Sequence, residues 1–130
     1  MAVVAIKPSE KEWCGGTVIG SRWILSASHC MFLSNTAVTA EELVIVLGEH
    51  DNSITTESII PRKVFDVEKY INHPEYDNPS QFANDITLIR IKGKIDLNVY
   101  TPACIPNTGD DFVGKDAWVY GNSIVEVSNR

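Results

Sequence analysis

Residues 13–30 read Trp13-Cys-Gly-Gly-Thr-Val-Ile-Gly-Ser-Arg-Trp-Ile-Leu-Ser-Ala-Ser-His29-Cys30. Within this stretch, two short runs rich in β-branched or aromatic residues, 17–19 and 23–26, flank the pair Gly20-Ser21, which is the pattern of two β-strands joined by a turn. Similar runs, each bounded by turn-forming residues, occur at 2–6, 43–47, 63–67, 86–91 and 117–120. Short strands at this spacing predict one all-β domain, a sandwich or a barrel.

Two local patterns refine this prediction. Residues 86–92 alternate apolar and polar side chains over most of their length, which predicts a strand with one buried and one wet face. Residues 39–42, Thr-Ala-Glu-Glu, match a helix capping box. The β-branched run that follows directly favours a strand, so we expect a turn there, at most one helical turn.

Composition limits the class of protein. The chain has 130 residues, 44% of them hydrophobic, and 11 Lys and Arg against 17 Asp and Glu give a formal net charge of -6. A chain of this size can bury a core without a metal. The negative balance disfavours nucleic acid as a partner, and no apolar run reaches the roughly 18 to 20 residues that span a bilayer. The first residues lack the layout of a secretory signal.

Three cysteines, Cys14, Cys30 and Cys104, leave two interpretations open. One is a metal site that includes histidine, and the other is a disulfide plus one cysteine whose partner lies elsewhere. Metal sites usually show short spacings such as C-x-x-C, which are missing from this sequence. The predicted strand pair would bring its far ends, Cys14 and Cys30, within bridging distance. A bridge closing about 15 residues is worth roughly 3 kcal/mol in the chain-entropy model and would fix the backbone beside His29.

Several motifs in a fixed order resemble the N-terminal barrel of the trypsin-like (chymotrypsin-fold) serine endopeptidases. They are C-G-G at 14–16, A-S-H-C at 27–30, L-G-E-H-D at 47–51, I-N-H-P-E-Y at 71–76, N-D-I-T-L-I at 84–89, P-A-C-I-P at 102–106 and W-V-Y-G at 118–121. The resemblance covers about residues 1–121 and leaves 122–130 as a divergent or truncated tail. It implies an antiparallel Greek-key six-stranded β-barrel, one of the two barrels of that fold.

The resemblance assigns roles to individual residues. His29 matches the triad histidine, which takes the proton of the serine hydroxyl, and Asp85 matches the aspartate that holds the imidazole in the correct tautomer. Cys14 and Cys30 match the disulfide that flanks this histidine. Cys104 matches the cysteine that tethers an N-terminal pro-segment in many members, which would explain the odd cysteine count.

The chain departs from the family pattern at the nucleophile. The loop G-D-S-G-G occurs nowhere in the sequence, and Ser123 lies a whole barrel too early and lacks the glycines of an oxyanion hole. We therefore expect the 130 residues alone to be inactive. Two functions stay open: the N-terminal barrel of a serine endopeptidase, or a truncated non-catalytic isoform that binds a protease inhibitor or a protease as a decoy.

Ligands and location follow from the same resemblance. Glu49 and Glu57 resemble the ends of a calcium loop found in some members, but this loop is shorter than the calcium-binding ones, so no cofactor is expected. The expected partners are a protein or peptide substrate, a pro-segment through Cys104 and a protease inhibitor. The family and its disulfide imply an extracellular, secreted protein.

Asp85 also has an alternative role. From the local sequence alone, without the family resemblance, it would serve to cap a strand or to close an Asx-turn with Asn84.

Overall fold

Eight β-strands and two short 3₁₀ turns form the regular structure of the computed structural model, which describes residues 1–7, 9, 11–48 and 60–118. The strands are β1 Ala2–Ile6, β2 Lys11–Gly20, β3 Trp23–Ser26, β4 Phe32–Leu33, β5 Thr36–Ala37, β6 Leu43–Leu47, β7 Lys63–Asn72 and β8 Thr87–Ile91. The 3₁₀ turns are Ser28–Met31 and Ala40–Glu42.

Six of these strands close into one antiparallel barrel in the order β1-β2-β3-β8-β7-β6, and β6 completes the circle by pairing with β1. The first three strands are neighbours in sequence, whereas β8 crosses over to pair with β3. Closing the sheet removes its edges and encloses the main core. A second, smaller buried cluster on β1 and β6 consists of Val3, Ala5, Val44 and Val46. The predicted all-β, six-stranded antiparallel barrel is confirmed. The strands β4 and β5 form a separate hairpin.

The two longest strands, β2 and β7, carry the sheet around its corners. The first part of β2 pairs with β1 and its last part with β3, and β7 likewise pairs first with β6 and then with β8. A register shift interrupts the pairing of β2 with β3 and the pairing of β7 with β8. Such bulges bend a strand and increase its twist. Sequence analysis predicted only residues 17–19 and 63–67 here, because glycines and charged residues weaken the local strand signal.

The core lies inside the barrel and is built by alternation along the strands. In β8 the side chains of Thr87, Ile89 and Ile91 are buried, while Leu88 and Arg90 point outward, which confirms the alternation predicted for this segment. The largest fully buried side chains of the core are Ile24, Met31, Leu43, Ile45, Leu47, Ile89, Ile91, Val4 and Val67.

Two local predictions have definite outcomes. The capping box at 39–42 forms, with the Thr39 backbone N–H donating to the Glu42 carboxylate at 2.8 Å, and it starts a single 3₁₀ turn before β6, as expected. The strand predicted at 117–120 is not confirmed in its described part, because residues 117 and 118 are not in a strand. Its other two residues lie outside the described part of the chain. The segment 101–118 contains only turns and irregular backbone, although the backbone N–H of Ala103 donates to the carbonyl of Val18 on β2 at 2.9 Å.

Candidate functional site

The pairing of β3 with β8 brings two distant segments to the same edge of the barrel. In this antiparallel pair Ser26, the last residue of β3, lies opposite Thr87, the first residue of β8. His29 follows β3 on the 3₁₀ turn, and Asp85 precedes β8. The end of one strand therefore adjoins the start of the other, and the register alone brings together two residues that are 56 positions apart.

Asp85 binds His29 through both of its carboxylate oxygens. The backbone N–H of His29 donates to Oδ1 at 2.8 Å, and the ring atom Nδ1 lies 2.6 Å from Oδ2. The side chain of His29 is 50% exposed and that of Asp85 is 22% exposed. The aspartate is thus held against Nδ1 of the imidazole, while Nε2 on the other side of the half-exposed ring lies 3.6 Å from Sγ of Cys30.

The pKa of Asp85 reflects this environment. Partial burial of the carboxyl, the largest single influence, raises its pKa, but hydrogen bonds from the side chain and backbone N–H of His29 outweigh it. The charge of His29 and the backbone N–H of Ser28 act in the same lowering direction. The net effect is a pKa below the ordinary value for aspartate, so the carboxylate is ionised at neutral pH.

A disulfide fixes the other side of the turn that carries His29. Cys14 on β2 and Cys30 are bonded, with their Cα atoms 6.1 Å apart, so the predicted bridge is present. The indole Nε1–H of Trp13 also donates to the backbone carbonyl of Cys30 at 2.7 Å. Among the described residues, the histidine and these two sulfur atoms form the one close group with metal-ligand chemistry. Because the sulfurs are bonded to each other, the thiolates of a zinc site are not present.

Hydrogen bonds also organise the loop that precedes Asp85. The side-chain amide of Asn84 donates to the backbone carbonyls of Glu75 and Asn78, both at 3.0 Å. Asn84 adopts a positive φ of 55°, which Asn tolerates better than most residues. The loop is thereby closed on itself directly before the aspartate. The motif at 84–89 includes Asn84 and Asp85, but the sequence does not indicate that the Asn84 amide binds the carbonyls of Glu75 and Asn78.

Two contacts of the site were missed by sequence analysis. The ring of Phe82 meets the His29 imidazole edge to face, with the centroids 6.1 Å apart and an interplanar angle of 77°. The hydroxyl of Ser28 donates to the backbone carbonyl of Ile86 at 2.6 Å. Nothing in the local sequence pattern around Phe82 points to this contact. Ser28 is part of the A-S-H-C motif, but the sequence gives no indication of this bond.

The remaining predicted site residues either lie away from His29 and Asp85 or fall outside the part of the chain that the structure describes. Cys104 is exposed and is the free cysteine of the described residues. Glu49, Glu57 and Ser123 lie outside the described residues. In the part of the chain that the structure describes, no helix is long and apolar enough to cross a membrane.

The chain is similar to one known protein family and to several known proteins. The family model described as Trypsin matches residues 1–123. Ovochymase-2 of Mus musculus is 33% identical over 110 residues, which is 84% of this chain and 17% of that protein. Serine protease SSP1 of Scolopendra subspinipes is 32% identical over 83% of the chain and 36% of its own length. Venom serine protease 34 of Apis mellifera is 37% identical over 83% and 27%. The chain therefore spans well under half the length of each of these relatives.

Proposed function

The chain belongs to the trypsin family of serine proteases, and we propose that it supplies the general base of a serine endopeptidase, His29, together with Asp85, the carboxylate that orients it. The observation that carries this proposal is the pair of bonds between Asp85 and His29, at 2.8 Å to the backbone N–H and 2.6 Å to Nδ1. A carboxylate that binds only the ring would orient it less completely.

The pair is suited to moving one proton. An ionised carboxylate beside Nδ1 keeps the proton on that nitrogen, which leaves the lone pair of Nε2 to accept a proton from a hydroxyl. The same negative charge stabilises the imidazolium that forms. The lowered pKa of Asp85 supports this role, because the carboxylate stays ionised at neutral pH. The half-exposed ring of His29 leaves room for a substrate.

The proposed reaction is hydrolysis of a peptide bond in two steps. A serine oxygen attacks the carbonyl carbon while its proton passes to Nε2 of His29, and the proton then goes to the leaving amine. Water repeats the sequence on the acyl-enzyme and releases the serine. We assign the serine and the oxyanion donors to a second barrel outside these 130 residues. The relatives extend far beyond the matched part, and G-D-S-G-G is not in this sequence.

The partners and location are proposals of the same kind. Protein or peptide chains are the substrate class, and a protease inhibitor would bind at the same His29–Asp85 site. The exposed thiol of Cys104 is available for a disulfide to a pro-segment. The bridge between Cys14 and Cys30 supports an oxidising, extracellular location, since such bonds persist there.

The test is made on the native protein. The folded protein is first treated with a serine-directed fluorophosphonate. It is then denatured, captured with an antibody against residues 1–7, which lie largely in the buried strand β1 of the folded chain, and analysed by intact mass under reducing conditions. We expect a species well above the 14.4 kDa of this sequence that carries the label. A native 14.4 kDa species that takes no label would overturn the endopeptidase proposal and favour the non-catalytic decoy.

A further inference from the structure

Three side chains with the ligand chemistry of zinc meet at the site of the proposed general base. One ligand atom each of Cys14, His29 and Cys30 lies within 4.8 Å of the other two. Nε2 of His29 is 3.6 Å from Sγ of Cys30. A tetrahedral zinc ion, with bonds of about 2.3 Å to sulfur and about 2.0–2.1 Å to nitrogen, holds two such atoms about 3.6 Å apart. The nitrogen and this sulfur therefore already have the separation that binding to one zinc ion requires.

The surroundings of these side chains also resemble those of a zinc site. Nδ1 of His29 lies 2.6 Å from Oδ2 of Asp85. A histidine that binds a metal almost always donates its second ring N–H to a carboxylate, a carbonyl or water, which fixes the ring and raises its basicity. The indole N–H of Trp13 donates to the Cys30 carbonyl at 2.7 Å and holds the backbone of the same turn. The carboxylate that orients His29 for proton transfer therefore orients it equally well for a metal ion.

The disulfide decides whether the two sulfurs can bind a metal, because zinc requires thiolates. A dithiol supplies them by exchange. One thiolate of the dithiol attacks Sγ of Cys14, which is partly exposed, whereas Cys30 is only 2% exposed. The S–S bond breaks and Cys30 leaves, and the second thiol of the reagent then closes the reagent's own disulfide and frees Cys14. Two electrons and two protons thereby pass to the cysteines, and the protons go to solvent when zinc binds.

We propose that the reduced protein binds one zinc ion through Sγ of Cys14, Sγ of Cys30 and Nε2 of His29, and that the bound zinc stops catalysis. The effect on catalysis rests on the function proposed above, whereas the binding of zinc does not. Nε2 is the atom that accepts the serine proton, and its lone pair cannot bind zinc and a proton together. The half-exposed ring leaves the fourth ligand position of the zinc to water. The disulfide therefore keeps His29 free for proton transfer, in addition to fixing its turn.

The experiment uses the native protease at its full length. It is reduced with dithiothreitol under argon without denaturant, the reagent is removed by gel filtration, and circular dichroism checks that the protein is still folded. Alkylation followed by peptide mass analysis shows whether Cys14 and Cys30 are both reduced. Cobalt, the spectroscopic substitute for zinc, is then added in steps. We expect one equivalent to give the absorption bands of tetrahedral, thiolate-bound cobalt, zinc to displace it, and the oxidised protease to show no such bands.

Two histidine variants make the test specific, because both keep the cysteines and their disulfide. His29→Ala removes a proposed ligand, and after reduction it should not show the cobalt bands at one equivalent. His73→Ala is the matched control. His73 lies outside the cluster, and its Nδ1 accepts from the Glu75 N–H at 3.1 Å, so this variant should bind cobalt like the unaltered protease. Asp85→Asn should weaken zinc binding about 10–100-fold, as the loss of a partner behind a metal-bound histidine does.

Peptidase activity gives a second, separate readout. One equivalent of zinc should abolish hydrolysis of a chromogenic peptide by the reduced protease, a chelator should restore it, and the oxidised protease should stay active. Equal cobalt binding by reduced His29→Ala, no binding by the reduced and folded protease, or unchanged activity with zinc bound would overturn the proposal. Reduction of the Cys14–Cys30 pair only with loss of the fold would overturn it as well. Stoichiometric metal on a protein that shows no peptidase activity before reduction would support the zinc site and contradict the proposed function alone.

Discussion

Asp85 holds His29 at two points, the backbone N–H through Oδ1 at 2.8 Å and the ring through Oδ2 at 2.6 Å. The two bonds act on different degrees of freedom. The first fixes the backbone of the turn relative to the start of β8, and the second fixes the rotation of the imidazole. Orientation and charge therefore come from one carboxylate, and a substitution that keeps its shape but removes its charge separates them.

Asp85→Asn should abolish most of the catalytic rate of the native protease. The amide keeps the size of the carboxylate, but an N–H that faces Nδ1 favours the wrong tautomer and cannot stabilise the imidazolium. The loss expected from this chemistry is on the order of 10⁴-fold in kcat, measured with a chromogenic peptide substrate. KM should change much less, because the aspartate does not touch the substrate.

Asp66→Asn is the matched control for this substitution. Asp66 lies on β7, away from the site, and its exposed carboxylate pairs with Lys7 at 2.7 Å. The control should keep the kcat of the unaltered protease. An Asp85→Asn enzyme with nearly full kcat would show that this carboxylate is not the triad aspartate.

The stability of the chain should fall in acid through Asp85. Its pKa is lowered in the folded state, so the folded protein binds fewer protons than the unfolded chain near that pH. The stabilisation is then fully present above the ordinary aspartate pKa, about 3.9, and is lost as the pH falls through the lower folded value. Urea midpoints measured from neutral pH to about pH 2 for the unaltered chain should converge with those of Asp85→Asn at the acid end. Curves that stay parallel over this range would contradict the lowered pKa.

Much of this architecture was predictable, and the reason differs between the fold and the site. Most strands could be predicted because their residues alternate or are β-branched, as in 2–6 and 43–47. Extending β7 from 63–67 to Asn72 required knowledge of its partner β8. The pairing of His29 with Asp85 depends on the register of β3 and β8, which no local pattern encodes, and here it came from the ordered motifs. The bond of Ser28 depends on burial in three dimensions and could not be inferred from its neighbours.

Removing the disulfide should destabilise the barrel substantially. Cys14→Ala combined with Cys30→Ala frees a loop with a sequence separation of 16, and the chain-entropy model predicts a loss of about 3 kcal/mol in the free energy of unfolding. Cys30 is also only 2% exposed, so the smaller side chain leaves unfilled core volume. Urea denaturation at neutral pH measures the difference from the unaltered chain.

Cys104→Ala provides the comparison for the loss of a sulfur atom alone. This cysteine is exposed and free, so the free energy of unfolding should stay within about 0.5 kcal/mol of the original. If the double variant matched this control, the bridge would contribute no net stability to the folded chain.

The two glycines of the C-G-G motif should respond differently to the same substitution. A Cβ at Gly16 would lie 2.8 Å from Cγ2 of Ile24 and 3.3 Å from the Leu25 carbonyl oxygen, whereas one at Gly15 would meet no atom within 4 Å. Ile24 is fully buried and Leu25 contributes backbone, so neither can move away freely. Gly16→Ala should therefore cost about 1–3 kcal/mol, as overpacked core positions do.

Gly15→Ala tests whether this cost comes from packing or from the loss of glycine as such. Both positions lie within β2 and neither requires a positive φ, so alanine should be neutral or slightly stabilising at Gly15, because it restricts the unfolded chain. Urea denaturation of the two single variants beside the unaltered chain gives the comparison. Equal destabilisation at both positions would mean that β2 requires the conformational freedom of glycine rather than the space left by a missing Cβ. The close approach of Gly16 to Ile24 would then not explain why residue 16 is glycine.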